Sequence, residues 1–157
     1  MENGAESREL VRIRIDMDLE WKFARGWSFG EFFRQFKGGN IVGIKCPQCG
    51  RVYLPPRPVC GNCYEEMHEW INVSDEGTIR AFTVVYNSIT DPVTGRPRKT
   101  PYGMALIQLD RSDTLLNHYV DQIDLSHLAI GRRVKAVFHE ERRGAMSDIA
   151  YFRLLEE

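Results

Sequence analysis

The sequence has little excess charge of either sign and lacks long hydrophobic runs. Its 21 Lys and Arg residues face 22 Asp and Glu residues, which leaves a net charge of −1 with neutral histidines. Because non-specific DNA binding depends on many basic contacts to phosphate, this balance argues against such binding. No segment approaches 18 consecutive apolar residues, and residues 1–9 lack the layout of a signal peptide. We therefore expect a cytoplasmic protein without a membrane span.

Cysteine is absent outside one short segment. The four cysteines follow the pattern Cys-x2-Cys, ten residues, Cys-x2-Cys. In a chain without a secretion signal, this spacing favours reduced thiols that direct four sulfur ligands to one tetrahedral metal. The sequence therefore predicts a structural zinc site formed by Cys46, Cys49, Cys60 and Cys63. The main alternative is iron in a rubredoxin-like redox site; two disulfides or a redox dithiol are weaker alternatives.

Turn-forming residues accompany both Cys pairs. Gly50, directly after the first pair, can adopt the positive φ that lets backbone N–H groups face sulfur. Tyr64 takes the matching place after the second pair and fits such a turn less well. Pro55 and Pro56 lie between the pairs and predict a rigid connector, because proline restricts the backbone.

Recognisable catalytic motifs are also missing. The sequence contains no Gly-x-Ser-x-Gly, His-Glu-x-x-His or phosphate-loop motif, and its four histidines are widely scattered. Catalysis by a cysteine nucleophile needs a free thiolate and a nearby base, whereas the metal pattern uses all four thiols. A four-Cys shell is also closed, unlike a catalytic zinc site. We therefore predict no catalytic residues and a binding or assembly role.

Residues 1–40 are interpreted as an N-terminal arm. Residues 10–17 alternate apolar and polar side chains, which predicts a strand. Ser28 and Glu31 have capping-box spacing, so a helix is predicted from Ser28 to about Lys37. Its phenylalanines recur at helical spacing and can pack on this chain's own core or on a partner. The candidates for a partner interface are Trp27, Phe29, Phe32, Phe33 and Phe36.

Residues 41–70 are assigned to the metal ribbon, and residues 71–157 carry strand signals with almost no helix. A single helical turn is predicted at residues 124–128. Five strands with a small helix after the third have the layout of an OB-fold barrel. We therefore predict a mainly β protein with an N-terminal strand and helix, a four-Cys zinc ribbon and a five-stranded OB-fold-like barrel. The five strands are predicted at residues 78–86, 102–109, 114–120, 134–141 and 148–155.

This combination resembles a known family, the rubredoxin-like zinc ribbon joined to an OB-fold that is associated with acyl-CoA. The resemblance spans roughly residues 20–155, and its most specific part is the stretch from Cys-Pro-x-Cys-Gly to Pro-Pro-Arg within residues 41–60. Many members have Gly at the position of Tyr64. Further matching segments lie at residues 77–85, 101–107 and 130–138.

The resemblance implies a non-catalytic accessory or scaffold subunit of a thiolase-type enzyme or thiolase-like aldolase. Archaeal members resemble scaffolds between a thiolase and a hydroxymethylglutaryl-CoA synthase. Bacterial members accompany enzymes that break down steroid or aromatic acyl-CoA. The resemblance therefore implies structural Zn²⁺ as the metal, a thiolase-superfamily subunit as the partner, and acyl-CoA or CoA as the ligand of the OB part.

A short cluster of positive charge precedes Pro101. Its members are candidates for binding the CoA phosphates, or they form an ordinary solvated loop: Arg96, Arg98 and Lys99. The alternative function is single-stranded nucleic-acid binding, because zinc ribbons and OB-folds both serve there. Candidate stacking residues are Phe82, Tyr86, Tyr102 and Tyr119. Basic and acidic side chains nearly cancel within residues 71–157, so we do not expect nucleic acid as the partner.

Overall fold

The computed structural model describes residues 24–91 and 95–156. The strand predicted at residues 10–17 lies outside the described residues. Within the described part, no helix has the length and apolar character needed to cross a membrane. The elements are α1 (Gly26–Lys37), β1 (Ile41–Lys45), β2 (Val52–Tyr53), β3 (Glu69–Val73), β4 (Glu76–Val85), β5 (Tyr102–Leu109), β6 (Leu116–Val120), β7 (Arg133–Phe138), a 3-10 turn (Met146–Asp148) and β8 (Ile149–Leu154).

Five strands form a closed barrel in the order β4-β5-β6-β8-β7. This confirms the predicted mainly β fold with an OB-like barrel. The barrel closes through a single parallel pair between Val120 of β6 and Phe152 of β8, whereas its other strand pairs are antiparallel. The turn predicted at residues 124–128 is present, because the N–H of Leu128 donates to the carbonyl of Asp124 at 2.9 Å. Alternating side chains of the strands fill the barrel interior.

A second sheet of three strands, in the order β2-β1-β3, carries the cysteines at one end. Sequence reasoning missed β3, which crosses the predicted boundary between residues 70 and 71. All five residues of β1 pair with β3, from Ile41 opposite Val73 to Lys45 opposite Glu69. We retain the division into residues 1–40, 41–70 and 71–157 as a proposal.

The side chains of the loop between β5 and β6 join the two sheets. The backbone N–H of Val52 donates to the carboxylate of Asp113 at 2.8 Å, and the N–H of Asp113 donates to the Val52 carbonyl at 2.9 Å. The Thr114 hydroxyl accepts from the N–H of Leu54 at 2.6 Å and donates to the Leu54 carbonyl at 2.8 Å. The loop thus satisfies backbone N–H and carbonyl groups of Val52 in β2 and of Leu54 after it, as a neighbouring strand would.

Helix α1 begins at Gly26, two residues earlier than predicted. The residue before it, Arg25, makes no side-chain capping hydrogen bond, and Ser28 is buried inside the first turn. The proposed capping box does not form, because the carboxylate of Glu31 accepts instead from the side chains of Arg34 and Gln35. The helix ends at Lys37 as predicted.

Candidate metal centre and partner surface

The four cysteines converge at one end of the three-stranded sheet. Their Sγ atoms all lie within 4.8 Å of one another. Cys46 Sγ lies 3.4 Å from Cys63 Sγ, and Cys49 Sγ lies 3.7 Å from Cys60 Sγ. These separations exceed the ~2.05 Å of a disulfide bond. The thiols are therefore free and arranged as a single group.

The two Cys pairs form matching turns. In the first, the N–H of Cys46 donates to the Arg51 carbonyl and the N–H of Gly50 donates to the Cys46 carbonyl. The second pair repeats this pattern at Cys60, with Tyr64 in the place of Gly50. Tyr64 adopts a φ of 59°, close to the 72° of Gly50. The second turn thus forms with a left-handed Tyr, which bears the strain of its Cβ.

The sulfur atoms fit a tetrahedral Zn²⁺ ion. With Zn–S bonds of ~2.3 Å, the sulfur atoms at the corners of a tetrahedron are about 3.8 Å apart. Two of the pairs observed here, at 3.4 and 3.7 Å, are near this value. Within the described part of the chain, five buried residues support this end of the sheet, and two of them are cysteines. The four sulfur atoms are therefore suitable metal donors. Because the buried core around them is small, this segment also depends on a metal for its stability.

The pKa values of two of the four thiols are shifted in opposite directions. The Tyr53 hydroxyl beside Cys60 lowers the pKa of that thiol to about 5, and the same contact raises the pKa of Tyr53. Burial and the neighbouring sulfurs raise the pKa of Cys63 to about 12. Four thiolates this close repel one another, so full ionisation needs a central cation.

The aromatic helix residues separate into core and surface. Phe32 and Phe36 have no exposed surface, and they pack against the barrel and the three-stranded sheet. This corrects their prediction as interface candidates, because a fully buried ring cannot contact a partner. Phe33 is partly buried against the same core. Trp27 and Phe29 remain 50% and 37% exposed.

Trp27 belongs to a small aromatic cluster at the junction of α1 and β3. Its ring stacks on His68 with centroids 5.4 Å apart and meets the edge of Trp70 at 6.3 Å. Packing on two rings restricts the rotamers of Trp27 while half of its surface stays open to solvent. A large, pre-positioned aromatic side chain is typical of the central contacts of protein interfaces.

The basic residues before Pro101 do not play equivalent roles. Arg98 pairs with the Asp91 carboxylate at 2.8 Å, and its guanidinium lies 3.7 Å from the ring centroid of Tyr119. The positive charge of Arg98 is therefore already paired with the carboxylate of Asp91. Arg96 and Lys99 are exposed. The structure thus presents two of the three predicted phosphate candidates to solvent.

An open groove of about 260 Å³ lies on the outer face of β4, β5 and β6, and it is mainly apolar. Met104 in this groove pairs with Tyr119, the residue on which Arg98 stacks. The groove and the basic loop therefore share one face of the barrel. The remaining lining residues include Ala81, Thr83, Leu106 and Asn117.

Two family models match the chain in adjacent segments. Residues 39–68 match the rubredoxin-like zinc ribbon domain of ChsH2, and residues 70–139 match the C-terminal OB-fold domain of ChsH2. The matches place the four cysteines within the zinc ribbon and most of the barrel within the OB-fold.

Two archaeal relatives are DUF35 domain-containing scaffold proteins. The protein from Methanocaldococcus jannaschii is 30% identical over 99 residues, which cover 62% of this chain and 67% of the relative. The protein from Methanothermobacter thermautotrophicus is 32% identical over 104 residues, which cover 66% of this chain and 74% of the relative.

Solved structures show the same fold. A DUF35-family protein from Sulfolobus solfataricus superposes with a TM-score of 0.59 and 24% identity, covering 82% of this chain and 84% of that chain. The Ltp2-ChsH2(DUF35) aldolase gives a TM-score of 0.59 and 21% identity, covering 80% of this chain and 92% of that chain. The identity to the two scaffold proteins, together with the zinc-ribbon and OB-fold matches, shows that the chain belongs to the DUF35 family.

Proposed function

We propose that this chain is a non-catalytic, zinc-binding scaffold subunit that assembles with a thiolase-type enzyme or a thiolase-like aldolase. The observation that carries the proposal is its identity to scaffold proteins, and the family models match both the cysteine ribbon and most of the barrel. The fold neighbour named as an Ltp2-ChsH2 aldolase supports an enzyme of this class as the partner. We further propose that the assembly degrades acyl-CoA derived from aromatic, steroid or fatty compounds.

The metal in this proposal is one structural Zn²⁺ bound by the four cysteine thiolates. The ion supplies positive charge and cross-links two turns that share a very small core. Metal analysis of the purified protein tests this directly: one zinc per chain supports the proposal, whereas stoichiometric iron or disulfide-bonded thiols contradict it.

The proposed partner surface includes the exposed aromatic residues of α1. Trp27 and Phe29 expose apolar rings; the ring of Phe29 packs on buried Phe32, and the ring of Trp27 packs on His68 and Trp70. Burying a side chain of this size contributes about 1.5–3 kcal/mol, and each ~1.4 kcal/mol changes a dissociation constant tenfold. Loss of either ring should therefore weaken the complex measurably without removing a core residue.

Co-purification with the native partner tests this surface. We expect Trp27→Ala and Phe29→Asp, made separately, to reduce recovery of a thiolase-like subunit at unchanged zinc content and circular dichroism. Leu125→Asp is the matched control, because Leu125 is 63% exposed on a barrel loop. If both helix variants keep the partner and Leu125→Asp loses it, the interface lies on the barrel. Acyl-CoA turnover by the isolated chain would contradict the scaffold role.

We propose that the barrel face assists acyl-CoA binding in the assembled complex. The apolar groove beside Met104 suits the non-phosphorylated part of the ligand, and exposed Lys99 and Arg96 suit its phosphates. Replacing both basic residues by Ala should raise the Michaelis constant of the complex for acyl-CoA at low salt. Added salt should shrink the difference because it screens exposed charges. An unchanged constant would place the phosphates elsewhere.

A further inference from the structure

Tyr53 lies directly against the cysteine cluster, although it is not one of the proposed metal ligands. Its side chain is 4% exposed, and its hydroxyl oxygen lies 3.3 Å from Cys60 Sγ. The backbone N–H of Gly61 donates to the same hydroxyl oxygen at 3.1 Å. The hydroxyl therefore joins β2 to the second Cys turn.

The neighbours of this hydroxyl determine the direction of its hydrogen bond. The Gly61 N–H is a donor only, so the Tyr53 oxygen accepts there. A metal-bound cysteine is a thiolate, which has no proton to donate. With a metal in place, the phenolic O–H is therefore the donor to Cys60 Sγ.

The ring of Tyr53 also contacts a basic side chain. The guanidinium of Arg57 lies 5.1 Å from the ring centroid, within the range of a cation–π interaction. Arg57 belongs to the Pro-Pro-Arg-Pro segment at residues 55–58, which lies between Tyr53 and the second Cys pair. The part of the sequence that carries the most specific family resemblance thus contacts the phenol ring through Arg57.

We propose that Tyr53 is a positioning residue for the metal: its hydroxyl donates to Cys60 Sγ and slows release of the bound ion. Hydrogen bonds to thiolate ligands reduce the negative charge on sulfur and fix its orientation, and loss of such outer contacts typically costs about 10–100-fold in metal affinity. Among the four ligands, Cys60 also accepts from the Asn62 N–H at 3.4 Å. Cys49 is exposed instead. Cys46 is as buried as Cys60 and accepts from the Cys49 N–H at 3.5 Å, but among the four sulfur atoms Cys60 Sγ is the one that the Tyr53 hydroxyl contacts.

Tyr53→Phe tests the proposal because it removes only the hydroxyl. The full-length protein is loaded with zinc, and zinc transfer to a chromogenic chelator is followed. We expect transfer to become roughly tenfold faster. In the cobalt-substituted protein, the sulfur-to-cobalt charge-transfer bands should move to lower energy, because the sulfur loses a stabilising hydrogen bond. Thermal unfolding in excess zinc checks that the variant is folded.

Tyr64→Phe is the control, because Tyr64 lies next to Cys63 with 82% of its side chain exposed. It should change neither the transfer rate nor the cobalt bands. The proposal is overturned if Tyr53→Phe leaves either readout unchanged, or if Tyr64→Phe alters both to the same extent. The proposal rests on the metal centre proposed above. A wild-type chain without metal defeats both, whereas an unaltered Tyr53→Phe defeats only this one.

Discussion

The carboxylate of Asp148 accepts a hydrogen bond from the backbone N–H of Gly144 at 2.7 Å. The N–H groups of Arg143 and Ala145 donate to the same carboxylate at 3.0 and 3.2 Å. The carbonyl of Gly144 in turn accepts from the Arg25 guanidinium at the start of α1. One buried carboxylate therefore orders the loop that holds the helix against the barrel.

Asp148→Asn should destabilise the protein by about 2 kcal/mol, the order expected for hydrogen bonds to a charged group. The amide keeps one acceptor oxygen but turns an N–H₂ group towards backbone donors. Urea unfolding at neutral pH measures the change. A matched substitution at exposed Asp124 should cost less, since its partners lie in a solvent-exposed turn. Equal losses in the two variants would contradict the special role of Asp148.

Acid should weaken the same loop. Burial raises the pKa of Asp148, but the three backbone N–H donors outweigh burial and hold the pKa below its ordinary value. Because the folded-state pKa lies below the unfolded-state pKa, the contribution of Asp148 is complete above about pH 4 and declines as the pH falls through the folded-state pKa. Unfolding free energies from pH 7 to 2 should therefore fall less steeply for Asp148→Asn than for the wild type. Parallel curves would show that the carboxylate is not responsible.

Gly144→Ala should be more destabilising than Gly131→Ala. Both glycines have a positive φ, of 77° and 92°. A Cβ at position 131 meets open space, so its cost is limited to about 1–2 kcal/mol of backbone strain. A Cβ at position 144 would lie 2.9 Å from the carbonyl oxygen of Phe33 and push α1 away. Thermal unfolding compares the two variants; a larger loss at Gly131 would contradict the packing argument.

Thr114→Val should weaken the connection between the three-stranded sheet and the barrel. The variant leaves the N–H and carbonyl of buried Leu54 without their partner, at a cost of about 1–3 kcal/mol. Thr114→Ser keeps the hydroxyl and should stay close to the wild type. Urea unfolding of both variants checks the prediction, and equal stability of Val and Ser would show that the hydroxyl contributes nothing.

Metal removal should unfold the cysteine end of the sheet before the barrel. Structural zinc sites have apparent binding energies on the order of 10–16 kcal/mol, so the metal contributes a large share of the stability of a cluster that has five buried residues in the described part of the chain. We expect Cys46→Ser to lose the metal and increase proteolysis within residues 46–63, while the β-barrel signal persists in circular dichroism. Stoichiometric metal in Cys46→Ser would show that three thiols suffice.

Local sequence patterns predicted much of this architecture. The spacing of Cys46, Cys49, Cys60 and Cys63 predicted one cluster, since turns of fixed length restrict where thiols can point. Strand-forming segments separated by turn residues predicted the five barrel strands, whose ends differ from the predicted ones by at most three residues. Strand β3 was missed because its residues span the predicted boundary between the ribbon and the barrel, and only five residues form the strand.

Long-range contacts were beyond the reach of these patterns. Nothing local distinguishes Phe32, which is buried, from Phe29, which is exposed; packing of α1 on β1 and the barrel core determines which face of the helix is covered. Likewise, Thr114 contacts Leu54 only because segments 60 residues apart meet, and the contact between Tyr53 and Cys60 depends on the path of the loop between them.

The sequence by itself therefore determined the metal donors, the strand content and the family, because each depends on residue type and spacing along the chain. The tertiary structure alone decided that Arg98 is bound to Asp91 while Lys99 is exposed. It also decided which aromatic residues remain available to a partner. Such outcomes depend on which surfaces the folded chain brings together, and burial and pairing are properties of those surfaces.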